Sequence, residues 1–159
     1  MNEEGKENMR VAIGVDHGGF VLKSEIISIV QAEGHASQDL GAYELEPTDD
    51  FPDFAKAVAV SVATGESDRG IVICGSGVGA SVAANKIQGV RAAVCHDSYS
   101  ARQGVEHDDM NVLCLGARVI GIETARQLVL AFLSGTFIDE EKYRRRLNKV
   151  NALETFSIE

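Results

Sequence analysis

Two short segments of the sequence concentrate residues that could perform acid–base chemistry. The first is Asp16-His17-Gly18-Gly19, and the second is Cys74 followed by Gly75-Ser76-Gly77-Val78-Gly79. Glycines at alternate positions let backbone amides turn toward one negatively charged oxygen just before a helix begins. The positive end of a helix also favours a thiolate, which is both a base and a nucleophile. The second segment therefore predicts an anion cradle beside a reactive cysteine.

The glycine-rich segment has two other interpretations. It fits an ordinary tight turn between a strand and a helix, in which Cys74 is only a packing residue. It also fits the dinucleotide-binding pattern, with Ala80 in the third glycine position and Asp97, about 20 residues later, as the ribose-binding acid. That pattern normally lies on the first strand of a nucleotide-binding unit, whereas two strand–helix units precede it here. Cys95 and Cys114 lack such neighbours and are interpreted as packing residues.

Four further polar side chains suit contacts to a small anionic ligand. Asp16 offers a carboxylate to hydroxyl groups, and His17, near a helix start, suits a phosphate. Ser76 could donate a hydrogen bond to a substrate oxygen or simply cap its own turn. His107, in a polar turn predicted at residues 106–109, is either a candidate acid or base near neutral pH or an ordinary loop histidine.

The C-terminal segment carries a concentration of positive charge in an otherwise acidic chain. Five of the fifteen basic residues fall there: Lys142, Arg144, Arg145, Arg146 and Lys149. At helical spacing Lys142, Arg146 and Lys149 share one face, and guanidinium groups match phosphate oxygens. A solvated helix end, with cations favoured by the helix dipole, is the alternative interpretation.

Composition limits the class of protein. The 159 residues, 45% of them hydrophobic, suffice for one domain, predicted at residues 10–159 after a disordered polar leader at residues 1–9. A net charge of −9 argues against nucleic acid as a partner. Since no apolar stretch reaches the roughly 20 residues of a membrane span and no secretion signal is visible, we expect a cytoplasmic protein without a membrane partner. Three widely spaced cysteines disfavour structural zinc and disulfides.

The hydrophobic pattern alternates between strands and helices. Strands are predicted at residues 10–15, 35–40, 70–74, 90–95 and 111–115, and helices at 20–31, 55–64, 81–86, 98–106, 124–133 and 140–153. Residues 41–52 are predicted as turns, because Pro47 and Pro52 break regular structure. The alternation predicts an α/β fold with a five-stranded parallel sheet of order 2-1-3-4-5, covered on both faces, and a C-terminal helix. Ligands of such sheets bind where the strand order reverses, here beyond strands one and three, which end at the two segments described first.

Several segments together resemble the ribose-5-phosphate isomerase B family, which also includes the galactose-6-phosphate isomerase subunits. The resemblance covers residues 10–154 and rests on VAIGVDHGGF, TDDFPDFA, DRGIVICGSGVGASVAANK, GVRAAVC, EHDDMNVLCLGARVIG and KYRRRLNKV. It implies a three-layer Rossmann-like sandwich, aldose–ketose isomerisation of a phosphorylated sugar without metal or cofactor, and a homodimer with active sites between subunits. Pairing of dimers into tetramers is left open.

The resemblance also assigns roles to residues. Cys74 matches the base that moves a proton between C1 and C2 through an enediolate, whose charge the backbone of residues 75–79 stabilises. Ser76 matches a residue that shuttles protons or binds the reacting oxygen. His107, from the neighbouring subunit and assisted by Asp16, matches the acid that opens the sugar ring. Phosphate-binding positions are matched by His17, Arg118 and Arg146. A second branch of the family uses a glutamate at the position of Ala80, so this chain resembles the cysteine type.

Two departures from the family pattern bear on the substrate. Asp108 stands where members commonly have asparagine, so an amide contact becomes a carboxylate. Lys142 stands in place of a phosphate-binding arginine, which removes bidentate geometry. The expected reaction is ribose 5-phosphate to ribulose 5-phosphate, in the pentose phosphate pathway. Alternatives are isomerisation of a tetrose or hexose 6-phosphate, and a non-catalytic regulator that binds a sugar phosphate or nucleotide.

Overall fold

The computed structural model describes residues 8–157 as alternating strands and helices. The strands are β1 (Arg10–Val15), β2 (Ala36–Asp39), β3 (Arg69–Cys74), β4 (Ala92–Val94) and β5 (Val112–Gly116). The helices are α1 (Phe20–Ala32), α2 (Phe51–Ala63), α3 (Val78–Ala84), α4 (Ser98–Asp108), α5 (Ile122–Ser134) and α6 (Glu141–Ala152), followed by a 3-10 turn at Leu153–Thr155. The predicted α/β fold is confirmed.

The five strands form one parallel sheet in the order β2-β1-β3-β5-β4. The predicted order 2-1-3-4-5 is therefore wrong in its last two positions. The physical reason is burial: β5 is buried along its whole length, as a central strand must be, whereas the three residues of β4 are only partly buried. The reversal of strand order between β1 and β3 is as predicted, so the expected position of the site is unchanged.

The core has two parts, one on each face of the sheet. Alternate residues of the strands point to opposite faces, so Ile13 and Ile73 pack against α1, α4 and α5. Their neighbours Ala12 and Val72 pack against α2 and α3 on the other face. The three-layer sandwich is thus built around central strands, β1, β3 and β5, that are apolar on both sides.

Three of the helix boundaries that differ from the prediction concern residues near the site. α2 begins at Phe51 rather than residue 55, because Pro52 lies in the first helical turn, where a missing N–H costs nothing. α3 begins at Val78, directly after the glycine-rich loop. α4 continues through His107 and Asp108, so these residues lie in the last helical turn and not in a loop.

The predicted leader falls mostly outside the described residues. Met9, its last residue, belongs to the folded domain, because its carbonyl accepts a hydrogen bond from Ala36 and its side chain packs against the core. Within residues 8–157, no helix has the length and apolar character needed to cross a membrane.

Candidate active site

The loops after β1 and β3 lie against each other at the carboxyl edge of the sheet. Their contact requires glycine: a Cβ atom on Gly18 would lie 2.9 Å from the amide nitrogen of Gly75. A Cβ atom on Gly19 would collide with the carbonyl oxygen of Ile73. No side chain separates the two loops. Asp16, which follows β1, and Cys74, which ends β3, are therefore held in one region.

Cys74 is the last residue of β3 and is 5% exposed. Its Sγ accepts a hydrogen bond from the amide of Gly77 at 3.0 Å. Gly77 has a φ of 81°, and this left-handed conformation turns the chain into α3. An amide N–H aimed at the sulfur is a contact that suits a cysteine base, and the role of Cys74 as a base stays a prediction.

The rest of the glycine-rich loop is partly bonded within itself. Ser76 is exposed, and its Oγ accepts a hydrogen bond from the amide of Val78 at 3.3 Å. The amides of Gly77 and Val78 thus have partners inside the loop. The anion cradle formed by the backbone of residues 75–79 stays a prediction.

The other two cysteines have different surroundings. Burial and the nearby charge of Asp97 raise the pKa of the Cys95 thiol to about 11. Burial also raises the pKa of Cys114, which is fully enclosed in β5. Both thiols therefore keep their protons at neutral pH, in agreement with their interpretation as packing residues.

Asp16 and His17 are fixed by hydrogen bonds in the loop after β1. Asp16 is 6% exposed, and its Oδ1 accepts from the amide of Gly19 at 2.9 Å. Both the amide and the ring Nδ1 of His17 bond to Oδ1 of Asp49, at 3.0 and 2.6 Å. The sequence analysis did not assign a role to Asp49, although it lies in the TDDFPDFA segment used for the family resemblance.

Arg118 brings a positive charge to the same edge. It lies in the turn after β5, where its amide donates to the carbonyl of Gly75 at 3.0 Å. Its guanidinium lies beside Gly75, since a Cβ atom there would be 3.7 Å from the guanidinium carbon. Within the described part of the chain, Arg118 is exposed and forms no ion pair, so its charge is available to a phosphate.

His107 lies at the opposite edge of the sheet. Helix α4 follows the carboxyl end of β4 and runs back to the amino end of β5, and His107 is in its last turn. At about 3.3 Å per residue, the four steps of β3 from Gly70 to Cys74 span about 13 Å. The amide of Gly70 bonds to Asn111, four residues after His107, which places His107 at the Gly70 end. One chain therefore does not bring His107 to Cys74.

The environment of His107 contains two residues that the sequence analysis missed. The ring of Tyr143 stacks on the imidazole with 4.3 Å between ring centroids. Nδ1 of His107 lies 2.7 Å from Nε2 of Gln103, one helical turn earlier. In the sequence, Tyr143 stood out only as part of the KYRRRLNKV segment, and Gln103 had no motif to mark it.

The basic residues of α6 lie at the same edge of the sheet as His107. Arg146 lies three residues after Tyr143, on the neighbouring part of the helix surface. Most of the α6 cations have acidic partners nearby: Lys142 with Glu140, Arg144 with Asp139 and Arg145 with Glu141. The hydrogen bond that Lys142 donates to the Glu140 carboxylate raises the pKa of Lys142. Among the described residues Arg146 is in no ion pair, which leaves its guanidinium free.

The predicted site residues thus form two groups. The carboxyl-edge group comprises Asp16, His17, Cys74, Gly75, Ser76, Gly77, Val78, Gly79 and Arg118, and the structure adds Asp49. The amino-edge group comprises His107, Asp108, Lys142 and Arg146, and the structure adds Gln103 and Tyr143. The first group holds the predicted base and the predicted anion cradle, and the second holds an imidazole and positive charge in no ion pair among the described residues.

Comparison with known proteins gives consistent matches along the chain. A family described as Ribose/Galactose Isomerase matches residues 11–150. Ribose-5-phosphate isomerase B of Escherichia coli strain K12 is 43% identical over 91% of this chain and 96% of its own. D-erythrulose-4-phosphate isomerase 2 of Mycolicibacterium smegmatis is 36% identical over 92% of this chain and 97% of its own.

Solved structures agree with the sequence comparisons. Ribose-5-phosphate isomerase B of Clostridium thermocellum has a TM-score of 0.88 and 45% identity, covering 92% of this chain and 97% of its own. The type B ribose 5-phosphate isomerase of Trypanosoma brucei has a TM-score of 0.89 and 42% identity, covering 92% and 99%.

Proposed function

The chain belongs to the ribose/galactose isomerase family, and on that premise we propose that it interconverts ribose 5-phosphate and ribulose 5-phosphate. The observation that carries this proposal is the sulfur of Cys74, held against the Gly77 amide beside Asp16 and Arg118. Aldose–ketose isomerisation needs a placed base and a stabilised oxyanion together. The carboxyl-edge group supplies the base and polar groups for the oxyanion.

In the proposed mechanism Cys74 is the base. Its thiolate removes the proton from C2 of the open-chain aldose, and the electron pair forms the C1–C2 double bond while the carbonyl electrons move to O1. The resulting enediolate is stabilised by amides of the glycine-rich loop and by the hydroxyl of Ser76. A proton moves from O2 to O1 of the enediolate, with the hydroxyl of Ser76 as the shuttle. The same thiol then returns its proton to C1 while O2 forms the C2 carbonyl, which yields the ketose without any net oxidation.

The remaining residues bind and open the sugar phosphate. His17 and Arg118 bind the phosphate from one side, and Arg146 and Lys142 bind it from the other. Protonated His107 donates to the ring oxygen of the cyclic sugar while Asp16 contacts a hydroxyl group. The carboxylate of Asp108, next to His107, repels anionic groups of the substrate and so limits how closely they approach.

This mechanism requires a homodimer in which each active site joins the carboxyl edge of one subunit to the amino edge of the other. The separation of His107 from Cys74 within one chain supports the shared site. Apolar surface near the amino edge supports an interface there: Val150, Leu153 and Phe156 are exposed, and a cavity of about 480 Å³ lies beside β4. We also propose that the enzyme acts in the cytoplasm.

The number of carbon atoms in the preferred sugar phosphate can be tested directly. Curated relatives include two named D-erythrulose-4-phosphate isomerase and one named galactose-6-phosphate isomerase subunit LacB. Assay of aldose phosphates with four, five and six carbons is expected to give the highest kcat/KM with ribose 5-phosphate. A higher kcat/KM with a tetrose or hexose phosphate would reassign the substrate and keep the reaction class.

Replacement of the base tests the reaction itself. Cys74→Ala is expected to lower kcat by about 10²–10⁴, the usual contribution of a general base. Cys95→Ala is the matched control, since its thiol is protonated and packed in the core. Parental turnover by a folded Cys74→Ala enzyme would contradict the proposed mechanism.

A further inference from the structure

We propose that Asp49 is a positioning residue that fixes the ring of His17 for binding the substrate phosphate. The inference rests on the proposed function and deepens it. Asp49 lies 32 residues after His17 in the sequence, and nothing in the sequence pattern connects the two. In the fold, Oδ1 of Asp49 lies 2.6 Å from Nδ1 of His17.

The chemistry of the two groups sets which ring nitrogen carries a proton. A carboxylate oxygen accepts hydrogen bonds and does not donate them, so Nδ1 of His17 is the donor. The same oxygen also accepts from the backbone amide of His17 at 3.0 Å. Two hydrogen bonds from one residue to one oxygen fix the ring in orientation and keep a proton on Nδ1. Nε2 is then the nitrogen left to face a ligand, and it donates to a phosphate oxygen when the ring carries a proton on both nitrogens.

Asp49 is itself held in place by a tight turn. Its amide donates to the carbonyl of Glu46 at 3.1 Å. The hydroxyl and the amide of Thr48 both donate to the Glu46 carboxylate, which lowers the pKa of Glu46. The segment of residues 42–49 is also tied to the end of β1, because the amide of Ala42 donates a hydrogen bond to the carbonyl of Val15. Asp49 therefore approaches His17 from a preformed loop.

The second oxygen of Asp49 indicates that the residue serves more than stability. The side chain of Asp49 is 10% exposed. Its Oδ2 is buried and has no hydrogen-bond partner among the described residues. A buried polar atom without a partner destabilises a fold, so its presence calls for an explanation other than stability. One oxygen of Asp49, one oxygen of Asp16 and one ring nitrogen of His17 lie within 4.8 Å of one another, which places Asp49 in the carboxyl-edge group.

Steady-state kinetics with ribose 5-phosphate test the proposal. Asp49→Ala is expected to raise KM about tenfold, the effect of losing a hydrogen bond to a charged group, and to change kcat less than about threefold. Asp49→Asn keeps an acceptor for Nδ1–H and is expected to restore most of the affinity. The matched control is Asp50→Ala, the neighbouring aspartate, which is exposed and makes no side-chain cap bond to α2.

A double-mutant cycle separates positioning from a general structural role. If Asp49 acts through His17, Asp49→Ala adds no further increase in KM to His17→Ala. Additive increases in KM in the double variant would overturn the proposal. A fall of both kcat and the melting temperature in Asp49→Ala would also overturn it.

Ring ¹⁵N spectra of the histidines give a readout that does not depend on activity. His17 is expected to show a protonated Nδ1 that is lost in Asp49→Ala and kept in Asp49→Asn, whereas the other three histidines are unchanged. An unchanged His17 spectrum in Asp49→Ala would overturn the proposal. A parent enzyme inactive on every aldose phosphate would overturn the proposed function, and the spectra would still decide the role of Asp49.

Discussion

The three cysteines differ in the atoms around the sulfur, and this difference distinguishes the proposed base from two thiols that keep their protons at neutral pH. Cys74 has a backbone amide directed at its sulfur. Cys95 lies near Asp97, and that charge and burial both disfavour a thiolate. Cys114 is fully buried in a central strand. The reactivity expected of a cysteine thiol therefore depends on its position. Cys74 lies at the end of β3, Cys95 follows β4 and Cys114 lies within β5.

Alkylation tests this difference. At pH 8 iodoacetamide is expected to modify Cys74 before the other two cysteines, because alkylation requires the thiolate. A raised pKa means that a thiol keeps its proton up to higher pH, so labelling of Cys95 is expected only as the pH approaches about 11. Peptide mass spectrometry after timed labelling measures the order. Cys95 or Cys114 reacting first at pH 8 would contradict the assigned surroundings.

Residue types predicted only part of the site. The chemistry of Cys74, Asp16 and His17 was visible because these residues follow apolar runs and precede glycines. Asp49 could not be assigned, since its contact with His17 depends on a loop that returns to the end of β1. The turn predicted around His107 was wrong because the polar run EHDD continues a helix whose apolar residues are widely spaced.

At the scale of elements, Arg69 joins the start of β3 to the end of α5. Its guanidinium donates to the carbonyls of Phe132 and Gly135 and lies over the Phe132 ring at 5.1 Å. These carbonyls belong to the last turn of α5 and the residue that caps it, where helix carbonyls lack partners. Arg69 therefore holds in place the segment that leads to α6.

Replacement of Arg69 is expected to lower stability. Arg69→Ala removes two hydrogen bonds from a charged donor and is expected to reduce the free energy of unfolding by about 2 kcal/mol. Urea denaturation followed by circular dichroism measures the change. The control is Arg126→Ala, which breaks an exposed ion pair with Glu25 and is expected to cost less than about 1 kcal/mol. Equal stability losses in the two variants would contradict the capping role of Arg69.

The order of the elements was easier to predict from the sequence than their boundaries. Apolar runs identified β1, β3 and β5, because buried parallel strands are apolar on both faces. The edge strands β2 and β4, which are not fully buried, were also predicted at their places in the alternation. The exchange of β4 and β5 was missed because strand order depends on the packing of whole helices and leaves only a weak mark in the sequence. Pro52 was taken as the end of a turn, although proline is also favoured in a first helical turn.

At the scale of the whole molecule, the two groups of site residues lie at opposite edges of the sheet. Cys74, the proposed base, is at the carboxyl edge, and His107 and Arg146 are at the amino edge with α6. The proposed twofold dimer places the same two surfaces in contact twice and so forms two equivalent sites. The resemblance to the family implies this arrangement, and the positions of the residues within one chain support it.

Complementation between two inactive variants tests the shared site most directly. Cys74→Ala and His107→Ala subunits are each expected to be inactive alone. After mixing, unfolding and refolding together, half of the dimers contain one subunit of each kind and have one intact site, so activity is expected to return to about one quarter of the parental value. Activity no greater than the sum of the separate variants, in samples shown to contain mixed dimers, would contradict a site formed between two subunits.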